Sequence, residues 1–181
     1  MGQASEHGGV LLISAVFSRY EEALDWAKQR MEREWGPVAL ESERFEFEET
    51  EYYEPSMGAG LKKQFLAFER PFDPGKMAEV KLLTNGWEDE YASLGRHPEA
   101  RPLNLDPGYI TAAKLVLAST KDYTHRIYLG QGVFAEITLF FQRKQWQVGP
   151  WTFPDYRRAD YHAFFTECRD YFRRLPRTTE E

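Results

Sequence analysis

Apolar and polar positions along this chain change period several times, and each change marks an element. Val10 to Phe17 is an unbroken apolar run of strand length. Tyr20, Ala23, Leu24, Ala27, Met31 and Trp35 then recur at helical spacing on one face. Ser18, with Glu21 three residues on, has the spacing of a capping box, and Gly36-Pro37 stops the helix. Val38 to Glu48 reads as a strand. Val38 and Leu40 share one parity and Phe45 and Phe47 the other, which predicts a bulge near Ser42. Pro55, Gly58 and Gly60 punctuate Glu49 to Gly60 as a loop. Leu61 to Arg70 reads as a second strand paired with the first. Asp73-Pro74 opens a helix, an N-cap with Pro at its first position, and Met77, Val80, Leu83, Trp87 and Tyr91 face inward from it. Leu103 to Leu105 is a short strand.

The order β-α-β-β-α-β predicts an α+β fold with a ferredoxin-like core, an antiparallel sheet with two helices on one face. Ile110 to Ser119 fits either a strand or a helix. Arg126 to Leu129 and Val133 to Phe141 flank Gly130-Gln131-Gly132, a hairpin signature. In the second arm, Phe134, Glu136, Thr138 and Phe140 alternate with Ala135, Ile137, Leu139 and Phe141. Gly149 to Arg158 is a Pro- and aromatic-rich loop. A last helix carries Tyr161, Phe164, Phe165, Cys168, Tyr171 and Phe172 on one stripe. The expected organisation is one domain over residues 10–175. Residues 10–106 form its ferredoxin-like part and 107–175 a hairpin-plus-helix extension, between a flexible tail at 1–9 and a frayed end at 176–181.

Composition narrows the function classes. The net charge is -6 and the pI about 5.4, opposite to the basic footprint of a nucleic-acid binder. The single cysteine, Cys168, excludes an internal disulfide and Cys-rich zinc sites. Val10 to Phe17 is far shorter than the ~20 residues of a membrane span. A cytoplasmic protein without a membrane partner is expected. No P-loop, Rossmann fingerprint, Ser nucleophile elbow, H-E-x-x-H or C-x-x-C occurs.

Candidate chemistry gathers between Arg101 and Arg126. Asp106-Pro107-Gly108-Tyr109 follows a predicted strand end. It reads either as a turn or as a carboxylate at the lip of the sheet, acting as base or metal ligand. If residues 121–126 are extended, Lys121, Tyr123 and His125 share one face and Asp122, Thr124 and Arg126 the other. Lys121 and His125 would then make a cationic face for phosphate or carboxylate, with Arg126 as a bidentate fork. The bland alternative is a solvated loop in which Asp122 pairs with Arg126. Asp106, Asp122 and His125 are the candidate proton-transfer groups. Lys114, Thr120, Lys121, Arg126, Tyr128, Trp151 and Arg157 are the candidate ligand-binding groups, with Trp151 to Arg157 as an aromatic lid. Asp106, Asp122 and Glu136 together would offer oxygen ligands for Mg²⁺ or Mn²⁺.

Asn104-Leu105-Asp106-Pro107-Gly108-Tyr109 and Ser119 to Leu129 (STKDYTHRIYL) resemble the bacterial and archaeal family called domain of unknown function 4416. So do Lys114 to Ala118, Gly132 to Leu139 and Trp151 to Arg157, so that the resemblance spans nearly the whole chain. Some members of that family carry a GTP-binding label, but the P-loop that would give it a physical basis is missing from this sequence. The expected function is binding of, or enzymatic action on, an anionic, phosphate-containing small molecule, with nucleotides among the candidates and Mg²⁺ or Mn²⁺ as the candidate cofactor. The alternative is a non-catalytic interaction module or homodimer.

Overall fold

The computed structural model describes residues 7–49 and 53–175. The expected frayed end at 176–181 and residues 1–6 of the expected tail lie outside the described residues. Among the described residues the chain forms nine strands and four α-helices. All pair within one antiparallel sheet, ordered β2-β4-β1-β5-β6-β8-β7, with β3 also on β4 and β9 also on β8.

Strand β1 (Val10–Ser18) lies at the centre. Its alternate residues serve opposite faces. Leu12 and Val16 join a cluster with Ala23, Leu24, Ala27 and Met31 of helix α1 (Glu21–Trp35) and with Met77, Val80, Trp87 and Tyr91 of helix α3 (Met77–Ser93). Leu11, Ile13 and Ala15 join Tyr161, Phe164, Phe165 and Cys168 of helix α4 (Ala159–Arg174) on the other face. The apolar stripes read from the sequence are therefore the buried ones, and the sheet is sandwiched between helices on both sides. Strands β2 (Val38–Glu41) and β3 (Phe45–Phe47) are two short pieces where one bulged strand was expected. Both pair with β4 (Leu61–Phe72), and the break falls at Ser42, whose Oγ accepts the Phe65 N–H at 2.9 Å. Helix α2 (Glu54–Met57) is a single turn within the expected loop.

Four local expectations are corrected. Ser18 ends β1 and makes no capping box. Its hydroxyl donates to the Pro102 carbonyl at 2.6 Å and accepts from the Tyr20 N–H, so the helix begins at Glu21. Asp106-Pro107-Gly108 is no turn: β5 (Asn104–Ile110) runs straight through it, because β1 holds this segment in register from Asn104 to Ile110. The ambiguous segment is a strand, β6 (Lys114–Ser119). The hairpin of β7 (Ile127–Gly130) and β8 (Val133–Gln142) stands as expected, with Gly130 and Gly132 at positive φ, but it is followed by an additional strand, β9 (Gln145–Val148). Arg143 and Lys144 make that second turn at positive φ without the glycine that would have announced it.

One irregularity positions everything that follows. Along β1, β5 is paired at seven consecutive residues, but β6 meets β5 only at Gly108–Ile110. Pro107 has no N–H to give, which suits the point where the ladder ends. Gly108 marks the closure: a Cβ there would lie 2.1 Å from the Val116 carbonyl oxygen. Residues 104–107 and 118–121 therefore open as a fork in the sheet.

Candidate functional site

A cavity of about 630 Å³ fills the fork. Helix α3 walls it on one face of the sheet, and residues 153–156 wall it on the other. This volume suits a small-molecule ligand.

The charges around it come from helix α3, strands β4, β5 and β8, and the connecting loops. On α3, Lys81, Asn85 and Glu88 recur at i, i+4 and i+7 and so share a face, beside the apolar stripe. The Lys81 ammonium donates to the Leu105 carbonyl at 2.8 Å and to Asp106 at 3.2 Å. Glu88 accepts the Leu105 N–H at 2.8 Å and pairs with Arg101 at 3.0 Å. The same guanidinium donates to the Asn104 side-chain oxygen, and the Asn104 amide nitrogen has no partner among the described residues. On β4, Lys63 shares parity with Leu61, Phe65 and Ala67, so it points inward. It pairs with Asp155 at 2.6 Å and lies over the rings of Phe17, Phe47, Phe65 and Tyr156 at 4.5 to 5.7 Å. On β8, Glu136 accepts from Arg126 at 2.8 Å, Thr138 at 3.0 Å and the His125 ring at 3.0 Å. The Tyr156 hydroxyl is buried with no partner among the described residues.

Electrostatics separate these acids. Enclosure works to raise the Asp106 pKa, but Lys81 and Lys63 outweigh it and hold the carboxyl below its ordinary value. Asp106 is thus a fixed negative charge rather than a proton carrier near neutrality. Glu88 is shifted the opposite way: burial pushes it up, against the pull of Lys81 and Arg101. Burial, with Asp155 next, keeps the Tyr156 phenol far above its ordinary value, so it remains a neutral donor. Burial thus moves Glu88 towards its protonated form, while the two lysines hold Asp106 in its charged form.

The fold brings Asp106, Thr120, Lys121, Arg126 and Glu136 to the cavity wall. His125 stands behind Glu136, stacked between Tyr123 and Trp151 with centroids 6.1 and 5.4 Å away. The other expected residues are elsewhere. Lys114 is at the opposite end of β6, roughly 17 Å from Ser119 at the rise of a strand. Asp122 is exposed and does not line the cavity, and Arg126 pairs with Glu136, not with Asp122. Residues 120–126 form bends and turns, so the two-faced strand expected there does not exist. Tyr128 is exposed on β7. Trp151 donates its Nε1–H to the Ile137 carbonyl and stays outside the cavity. Arg157 is bound to the carbonyls of Thr152 and Gly149 and anchors its own loop. From the proposed lid only Phe153 to Tyr156 reach the cavity. Among the described residues, no three His, Cys, Asp or Glu side chains converge as metal ligands, so the set Asp106, Asp122 and Glu136 does not assemble.

Lys63, Lys81, Glu88, Arg101, Asn104 and Asp155 were not among the expected site residues. Two patterns pointed to them: Lys63 falls on the inward parity of an apolar strand, and Lys81, Asn85 and Glu88 fall on one helical stripe.

Neither the curated proteins nor the solved structures gave a match. A family model, domain of unknown function (DUF4416), matches residues 8–172. That match takes in all of the sheet, helices α1 to α3, α4 as far as Phe172 and every residue of the cavity wall, and the chain belongs to the DUF4416 family.

Proposed function

We propose that the cavity in the β5–β6 fork binds a small molecule bearing an oxyanion, with phosphate-containing compounds, nucleotides included, as the first class to test. One observation carries this reading. Among the described residues, every Lys–carboxylate or Arg–carboxylate pair with a side chain less than one-tenth exposed lines this cavity: Lys63–Asp155, Lys81–Asp106 and Arg126–Glu136. Buried ion pairs stabilise a fold little or not at all compared with apolar packing. Three around one hollow are better explained by a ligand than by folding. The carboxylates aim the ammonium and guanidinium groups, and N–H donors not used within each pair remain for an anion. Asn104 and Tyr156 add two buried donors that find no partner among the described residues. Asp106 and Glu136 would also suit Mg²⁺ or Mn²⁺ arriving with a phosphate, since such ions commonly use one or two carboxylates.

Three coarser expectations belong to the same reading. The expected ferredoxin-like unit at residues 10–106 accords with the order β2/β3-β4-β1-β5, whose last strand runs on to Ile110. The β6–β9 strands and α4 then extend it. A cytoplasmic site of action accords with the buried, unpaired Cys168. No helix is long and apolar enough to cross a membrane among the described residues, and the acidic charge makes nucleic acid a poor partner.

The test is a thermal-shift screen with phosphate, pyrophosphate, nucleotides and sugar phosphates, each with and without Mg²⁺. Stabilisation by an anionic compound is expected to disappear in Lys81→Met and Lys63→Met. Stabilisation by uncharged compounds alone, or equal shifts in both variants, would remove the oxyanion from the proposal.

A further inference from the structure

The two edges of the sheet are finished differently. One edge, β2 and β3, carries Glu41, Glu43, Glu46 and Glu48, all exposed. Charge along an edge strand is a standard protection against pairing with another chain. At the other edge, β7 presents Ile127, Tyr128 and Leu129 in succession, 71%, 60% and 43% exposed. Three adjacent apolar residues this open are not required by the fold and mark a contact surface. From Ile127 to Gln142 the sequence has one charged residue, Glu136. That carboxylate is buried and already bound by Arg126, His125 and Thr138.

We propose that β7 pairs with β7 of a second copy of this chain, joining two sheets across a twofold axis. Three features favour a second copy over another partner. First, a molecule with net charge -6 meets itself most easily where acidic groups are absent, and the β7 end of this edge has none exposed, the nearest exposed charges on the edge being the cations Arg143 and Lys144 at the β8–β9 turn. The charged β2/β3 edge would repel its own copy. Second, among the described residues nothing pairs with the outer side of β7, so its backbone N–H and C=O groups are open. Third, an antiparallel pair of identical strands satisfies a twofold by itself, which makes the contact isologous and closed rather than fibrous. The strand is four residues long, which puts the contact at the small end of specific interfaces and its dissociation constant in the micromolar range or weaker, on the order of 10⁻⁶ to 10⁻⁴ M.

Sedimentation velocity on the full chain, from about 1 µM to about 1 mM, reads this directly. The mean mass is expected to rise from the 21.2 kDa of one chain towards twice that value. The double variant Ile127→Lys, Leu129→Lys is expected to stay monomeric throughout. It reduces the net negative charge, so loss of the dimer would not come from general repulsion. Hydrogen exchange on the unaltered chain gives an independent measure: the outward amides of β7 should gain protection as concentration rises, whatever the variant does. A wild-type chain that stays monomeric at the highest concentration, or a dimer that survives both lysines, overturns the proposal. So does a dimer whose β7 amides exchange as fast as in the monomer.

Discussion

Strand β5 meets its neighbour β6 in two regimes within seven residues. At the closed end, Gly108–Ile110 pair with Leu115–Leu117 over an apolar layer in which Phe65, Tyr156, Tyr161, Phe164 and Phe165 pack ring against ring. At the open end the same sheet, with helix α3 over it, surrounds its space with Lys63, Lys81, Asp106 and Glu136. The closed end is what apolar packing produces when nothing else is asked of it. The open end gives up packing and backbone pairing, and it buries charges. The difference separates the part of the sheet that holds the molecule together from the part available for chemistry.

That contrast can be broken by mutation. The largest loss is expected at the closed end: Phe65→Ala should cost about 3–5 kcal/mol, the range for truncating a fully buried aromatic, measured by urea denaturation. Arg126→Ala should cost about 3 kcal/mol, because it strands the 1% exposed Glu136 carboxylate. Replacing both partners, Arg126→Met with Glu136→Leu, should recover most of that loss. If the double replacement is as damaged as the single one, the ion pair belongs to the scaffold and the contrast fails. Gly108→Ala should cost about 2 kcal/mol, since the new methyl overlaps a backbone oxygen and must prise the strands apart.

The smallest effect is the most informative. Asp106→Asn is expected to cost about 1–2 kcal/mol at pH 7, less than the others because its side chain is partly open to the cavity. The Asp106 pKa is lowered on folding, so its contribution is present above the ordinary value of 3.8 and is lost as acidification passes the lowered one. Melting curves of wild type and variant should therefore converge below that point. A difference that persists at low pH would mean the asparagine acts by packing and not by charge.

Much of the scaffold was legible in the sequence. α1, α3 and α4 each carry an apolar stripe of helical period that is buried, and the unbroken apolar run of β1 is buried on both faces. Turn chemistry was a weaker guide. Asp106-Pro107-Gly108 has every mark of a turn, yet the long ladder with β1 overrides it, and the proline serves instead to end pairing with β6. Strand β9 went unseen because Arg143-Lys144 adopts a turn that residue preference would not choose. The candidate site was half legible. Asp106, Lys121, Arg126 and Glu136 stood out as a dense run of ionisable groups, and they do reach one hollow. Lys63 and Asp155 could not be joined by any local rule, being 92 residues apart and brought together only by the sheet and the final loop. Asp122, Lys114 and Arg157 were drawn in by composition alone.

The caged position of Lys63 has a consequence for reagents that attack amines. The residue is 3% exposed, and Lys81 is 5% exposed, while the other lysines are exposed or half-buried. An acylating probe should mark the surface lysines within its first exposure and reach these two only when the fork breathes. Their labelling rate, followed by peptide mass, would time that opening without any knowledge of what the hollow holds.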